Sequence, residues 1–240
     1  TQAAVRMLAS AGVLIGFCGG GGTPLFMGTE IEWMMPQSEY RPTEYMQGWM
    51  GFWFDERKRF KAAQEFQQAR IAFIQSAWRK DRDLKNEGFD IDDETIAVAF
   101  QAFSQKINEL HKVGDLLLAE AQMTKQLYKY AATRVAIKNF VRNTEQGDLS
   151  NDFLNHGNYL AYGLAACTLW VLGIPHDFAV MHGKTRRDAL VFDIADLIKD
   201  AVVLPWAFIC AKENMIEQNF VSKYYKNLQS INASILCLMR

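Results

Sequence analysis

The rhythm of apolar and polar positions changes along the chain. Residues 1 to 10 read as the end of a helix. After Gly12 the run from Val13 to Cys18 is apolar and short, of strand type. From Pro24 to Trp33 a second strand is expected, with Ile31 and Trp33 alternating against Glu30 and Glu32. Gly19 to Gly22 join the two as a hairpin connection. Two strands do not make an independent domain, so residues 1–36 read as the end of a β-rich domain whose earlier strands are absent from this sequence. The start at Thr1, without a methionine, is in keeping with an N-terminus further upstream.

Pro36, Ser38 and Pro42 mark a linker at 37–42, and the rhythm then becomes helical. Thr43 is a candidate N-cap with Glu44 in the first turn. Trp49, Phe52, Trp53, Phe60, Phe66, Ile71 and Ile74 recur at helical intervals and predict one long helix to about residue 80, its aromatic residues being core rather than a base-stacking platform. Asn86-Glu87-Gly88 breaks it. Asp92 or Asp93 caps a helix to about 111, and Gly114 or Asp115 opens another to about 134. Residues 138–152 read as a polar loop and 155–172 as a helix ended by Gly173 and Pro175. An extended piece at 178–181 leads to His182. A helix follows from 188 to about 199, Pro205 kinks or restarts it, and an amphipathic helix covers about 215–238. The fold class is therefore mostly α: a helical domain over 43–240 behind the end of a β-rich one.

Composition narrows the function classes little. Of 240 residues half are hydrophobic, enough for a sizeable core, and the formal net charge of −1 gives no general reason to expect nucleic acid. Any DNA binding must rest on local features. The apolar run at 197–211 contains Lys199, Asp200 and Pro205 and is too short to span a membrane, and the cysteine pattern suits a cytoplasmic protein. Cys18, Cys167, Cys210 and Cys237 are scattered without zinc spacing and read as reduced, mostly buried thiols. Thr23-Pro24 after the glycines excludes a Walker loop, and no Glu-x-x-His pair or GxSxG is present.

The chemistry concentrates at His182-Gly183-Lys184-Thr185-Arg186-Arg187 and at Asp193 and Asp196. The two aspartates are three apart on a predicted helix and share a face within a very apolar run. Either Arg186, Arg187 or Lys199 pairs with them, or they face a divalent cation with His182, since carboxylates and one imidazole suit magnesium or manganese. Glu120 is a second conspicuous acid, set among Leu116, Leu117, Leu118 and Ala119. It is either an exposed position facing Lys125 or Lys129, or a functional carboxylate. His111, His156 and His176 have no partner pattern and read as ordinary helix-end or turn residues.

In combination, His156-Gly157-Asn158-Tyr159-Leu160-Ala161-Tyr162-Gly163, Gly173-Ile174-Pro175-His176, His182-Gly183-Lys184 and Phe192-Asp193-Ile194-Ala195-Asp196-Leu197-Ile198-Lys199 resemble the CRISPR-associated integrase and endonuclease family, Cas-one. The four glycines and Pro36-Gln37-Ser38-Glu39-Tyr40-Arg41-Pro42 are similar to its type I-F branch. The resemblance implies a β-rich domain followed by a helical catalytic domain, and one ion, Mg2+ or Mn2+, held by Glu120, His182 and Asp196, with Asp193 accompanying them. It implies capture of short DNA fragments and their joining into a CRISPR array by attack of a 3′-hydroxyl on a repeat-boundary phosphodiester. Lys184, Arg186 and Arg187 are the expected phosphate contacts. Implied partners are double-stranded DNA (spacer precursor and CRISPR repeat), a second copy in a homodimer, and a small adaptation subunit (Cas-two), fused in this branch to the Cas-three helicase-nuclease. Two further readings use the same residues: a DNA-holding scaffold without chemistry, and a structure-specific metal nuclease. The segment from 26 to 33 and the loop near Lys138 and Asn139 are shorter than the family pattern.

Overall fold

The computed structural model describes residues 1–11, 13, 15–18, 31–34, 43–145, 147–183, 188–216 and 219–223. The expected linker at 37–42 and most of the expected last helix fall outside them. At the front, α1 (Gln2–Ser10) is followed by strands β1 (Ile15–Cys18) and β2 (Ile31–Met34), paired antiparallel with Gly16 opposite Trp33. Among the described residues every later regular element is helical, as expected for a mostly α chain.

The stretch expected as one helix to residue 80 is two, α2 (Thr43–Trp53) and α3 (Glu56–Lys80). Asp55 makes the break: its carboxylate accepts from the amides of Arg57 at 2.9 Å and Lys58 at 3.2 Å, so a helix starts anew where a polar cap interrupts the aromatic series. Thr43 is the first helical residue rather than the cap. Asp81 caps a short α4 (Arg82–Asn86), and Asp93 caps α5 (Glu94–Glu109), accepting from Thr95 at 3.0 Å. Then come α6 (Val113–Arg134) and α7 (Leu149–Leu172). Helix α7 starts earlier than its apolar rhythm does, because Asp148 accepts from the Asn151 amide at 3.0 Å. It ends as expected at Gly173, which takes the left-handed φ of 71° ahead of Pro175. Residues 178–181 are not a strand. Phe54 is exposed, unlike its aromatic neighbours.

Helix α3 packs against α5, α6 and α8; α7 lies across α8 and α9. The centre is α8 (Ala189–Ile198), buried at every position but Phe192, continued by a π-helical turn (Lys199–Val203) into α9 (Leu204–Lys212), buried from Leu204 to Cys210. A segment apolar on all sides belongs inside a bundle. Among the described residues no helix is long and apolar enough to cross a membrane. Pro205 has no amide to offer the Ala201 carbonyl one turn before it, and the indole of buried Trp78 on α3 donates there instead, at 3.2 Å. Trp78 stacks on Tyr130 of α6, whose hydroxyl donates toward the Gly88 and Asp90 carbonyls and so ties down the turn after α4. Among the described residues neither Cys210 nor Cys167 forms a disulfide; Cys210 is buried, and burial pushes its thiol up to about 11.

Helix α7 approaches the π turn more closely than any side chain allows. A Cβ on Gly157 collides with the Val203 side chain and comes within 2.9 Å of the Phe220 ring. We expect Gly157→Ala to be destabilising in urea denaturation. Overpacking costs about 1–3 kcal/mol, more than the roughly 1 kcal/mol that alanine gains in a helix. A variant as stable as the parent removes the close approach as the reason for this glycine.

Candidate active site

The π turn directs side chains from its own backbone and from α8 into one cavity of about 150 Å³. Glu120, His182 and Asp196 all line it, with Arg70, Lys199, Asp200, Tyr128 and Asn158. Asp193 is fully buried behind His182 and does not reach the cavity. Lys184, Arg186 and Arg187 lie outside the described residues.

Asp193 acts as an anchor for backbone. Its Oδ2 accepts from the amides of Val180 at 2.7 Å and Met181 at 3.1 Å; its Oδ1 accepts from the His182 amide at 3.3 Å and stands 2.6 Å from His182 Nδ1. One carboxylate thus folds the 180–182 segment and sets the imidazole plane. Nε2 is left on the side of Asp196, whose Oδ2 is 4.0 Å away. Burial works against a charged ring, but the Asp193 hydrogen bond and the nearby Asp196, Asp193 and Glu120 charges hold the His182 pKa above its ordinary value.

The remaining acids are held by cations. Arg70, buried on α3, donates Nε to Asp200 Oδ2 at 2.7 Å, Nη1 to Glu120 Oε1 at 2.6 Å and Nη2 to Thr124 Oγ1 at 2.9 Å. The Thr124 hydroxyl in turn donates to Glu120 Oε1 at 3.0 Å. Burial would lower the Arg70 pKa, yet Asp200, Glu120 and Asp196 raise it well above the usual arginine range. Lys199 Nζ contacts Asp196 Oδ1; burial pulls this lysine down, and Asp196 holds it up. Asp196 is pushed up by burial and pulled down further by Lys199, Arg70 and His182, so it stays below the usual carboxylate range. Asp200 is the reverse case, where burial prevails over Arg70. Of the three cations weighed for the aspartates, Lys199 pairs with Asp196, and Arg186 and Arg187 lie outside the described residues. For Glu120 the cation is Arg70, fifty residues away, and neither Lys125 nor Lys129.

Among the described residues no group of three or more His, Cys, Asp or Glu side chains stands together as a metal cluster, Glu120 giving Oε1 to Arg70 and Thr124. The donor set nevertheless fits a hard divalent ion. Glu120 and Asp196 supply oxygens, and His182 supplies a ring nitrogen whose far side is fixed by a carboxylate. The charge fits as well. Three carboxylates line the cavity (Glu120, Asp196, Asp200) against two fixed cations (Arg70, Lys199), before buried Asp193 is counted.

Compared with known proteins, the chain matches the family model described as CRISPR associated protein Cas1 over residues 1–230. This chain belongs to the Cas1 family. A CRISPR-associated endonuclease Cas1 from Pseudomonas aeruginosa (strain UCBPP-PA14) is 52% identical over 239 residues, spanning 97% of this chain and 74% of that one. Its counterpart from Pectobacterium atrosepticum (strain SCRI 1043) is 54% identical over 226 residues, 92% of this chain and 69% of that one. The fold is shared with a Cas1 protein from Thermotoga maritima at a TM-score of 0.66 and 17% identity, covering 95% of this chain and 76% of that one. A casposase bound to its integration product has the fold at a TM-score of 0.63 and 14% identity, covering 95% and 70%. In this Cas1 chain, Arg70 was the site residue least visible in sequence, although it falls in phase with Phe66 and Ile74 on the buried face of α3.

Removing one partner of a buried ion pair leaves the other charge uncompensated, at a cost of about 3–5 kcal/mol. Arg70→Met should therefore lower stability at neutral pH by that order in urea unfolding. A loss under about 1 kcal/mol shows that Glu120 and Asp200 find other partners or water.

Proposed function

We propose that this chain is a metal-dependent DNA endonuclease and integrase of CRISPR adaptation, which joins short DNA fragments into a CRISPR array through attack of a 3′-hydroxyl on a phosphodiester. The observation that carries the reading is the single acidic cavity lined by Glu120, His182 and Asp196, with His182 fixed from behind by Asp193. Membership of the Cas1 family and the endonuclease names of relatives above 50% identity support it. Glu120, His182 and Asp196 would hold Mg2+ or Mn2+. The ion, when bound, supplies Lewis-acid stabilisation of the charge that develops on the phosphate oxygens.

The chain's own groups have separate duties in this reading. Asp193 holds the imidazole plane and leaves Nε2 directed at the cavity. Arg70 keeps Glu120 in place and offsets its charge. Lys199, at the cavity wall, places a cation where a phosphate arrives. DNA then lies along a neighbouring groove of about 610 Å³, lined by Lys125, Lys129, Arg142, Tyr128 and Phe140 and by no acid. Tyr128 belongs to both groove and cavity. This is the local positive feature that the near-zero net charge does not reveal; Lys184, Arg186 and Arg187, next to His182 in sequence, are further phosphate contacts in this reading. Action as a homodimer together with a small second adaptation subunit fused to a helicase-nuclease completes the proposal.

Asp196→Asn removes a charged donor while keeping the side-chain shape. It should reduce strand transfer on a repeat-containing plasmid, and metal-dependent cutting, beyond the roughly 10- to 100-fold that loss of an outer partner costs. DNA affinity should persist, because phosphate contacts supply most of it. Full integration activity in this variant refutes the enzymatic reading; joining lost with cutting retained favours a nuclease.

Lys125→Gln with Lys129→Gln should act on binding instead, weakening it across unrelated sequences. The log–log salt slope should fall by about 0.9 per lost contact, measured by filter binding over a salt series. An unchanged slope moves the DNA path away from this groove.

A further inference from the structure

The segment that carries His182 has no regular structure of its own, so every polar backbone group in it needs an outside partner. From one side Asp193 takes the three amides of Val180, Met181 and His182. The carbonyls just before them are taken from the other side, by helix α2. Trp49 Nε1 donates to the Phe178 carbonyl at 2.9 Å, and Trp53 Nε1 donates to the Ala179 carbonyl at 2.8 Å. Two indoles one helical turn apart thus meet two consecutive carbonyls.

Each indole is itself held. Trp49 is buried, its ring edge-on to Phe52 at 5.0 Å and tilted against Phe66 at 6.1 Å. Trp53 packs edge-on against Phe178 at 4.8 Å, and the Arg59 guanidinium lies over its ring at 5.0 Å while donating to its carbonyl at 3.0 Å. Beyond the carbonyls, Gln67 Nε2 of α3 reaches Met181 Sδ at 3.0 Å. The loop is gripped between α2 and α8, and His182 is where the grip ends. No residue of α2 lines the cavity.

We infer that Trp49 and Trp53 are positioning residues for His182: their indole N–H groups fix the 178–182 backbone and thereby the direction of the imidazole into the cavity. The inference rests on His182 being a site residue. It makes α2, the helix that leads into the domain from the front of the chain, a part of the site at one remove. A shift of α2 along its axis moves both donors off their carbonyls together, leaving the Asp193 anchor alone.

The test is the double variant Trp49→Phe, Trp53→Phe, which keeps an aromatic ring at each position and deletes both donors. Hydrogen exchange reads the segment directly: the amides of Val180, Met181 and His182 should exchange about 10-fold faster, with α8 unchanged. Mn2+ affinity by calorimetry should fall about 10-fold, as when an outer partner of a ligand is lost. Melting temperature should change by only a few degrees, and the DNA salt slope should not change. Unaltered exchange at 180–182 in the folded variant overturns the inference. If the parent protein itself binds no Mn2+, the metal reading fails while the exchange result still decides this one. Should the double variant not fold, Trp53→Phe alone, at the half-buried position, carries the same two readouts.

Discussion

A buried guanidinium is the constraint on which this architecture depends. Arg70 stands on α3 among residues of the core, yet it serves three carboxylate or hydroxyl partners on two other elements: Glu120 and Thr124 on α6, and Asp200 in the π turn. Taking such a charge out of water costs several kcal/mol, and only well-formed pairs with full hydrogen bonding offset it. Its partners meet that condition, with Nε and both terminal nitrogens engaged. The result is geometric as much as energetic. Because a planar fork accepts partners only in fixed directions, α3, α6 and the π turn are locked in one register about the cavity.

The second requirement is that an almost wholly apolar segment carry acids without unfolding. Asp193, Asp196 and Asp200 all sit on the buried path from α8 into the π turn, and each is satisfied by a different device. Asp193 replaces the missing structure of the 180–182 loop by accepting its amides. Asp196 is shared between Lys199 and the His182 side of the cavity. Asp200 closes on Arg70. The π turn matters here, since widening the helix by one residue changes which positions fall on a common face, a feature that recurs at functional sites. Pro205 would leave the Ala201 carbonyl orphaned, and Trp78 supplies the donor from across the core.

Much of this was legible from pattern, and the misses have local causes. The mostly α class, the caps at Asp93 and Gly173 and the core role of Trp49 follow from periodicity and cap chemistry. The break at Asp55 was hidden because apolar rhythm continues across it, and a single side chain accepting two amides overrides that rhythm. Asp193 and Asp196 were expected to share one face, and both are buried. Three residues apart leaves them about 60° apart around the helix, enough for one to face the loop and the other the cavity. Glu120 stood out as a carboxylate in an apolar turn, but a sequence window offers only near neighbours as partners. Arg70 carried a signal of its own, a charge in phase with Phe66 and Ile74. Long-range pairing of two such anomalies is the step that only coordinates supply.

The electrostatics of the cavity set the terms for any phosphate that reaches it. Glu120, Asp196 and Asp200 line the cavity beside Arg70 and Lys199, so an arriving phosphate meets carboxylates at short range, where the low dielectric around buried groups strengthens their repulsion. Two features oppose it. In the proposed reading, the acid-free groove with Lys125, Lys129 and Arg142 would draw the backbone in from the side, Tyr128 being common to groove and cavity. Glu120, Asp196 and His182 would hold a divalent cation, whose charge would offset theirs where a phosphate arrives. Attraction along the groove alone gives binding without reaction, and a cation alone gives a reactive centre that DNA does not approach. On the proposed reading the same protein would act as a scaffold or as an enzyme according to whether the ion is bound, which unites two readings that the sequence left side by side.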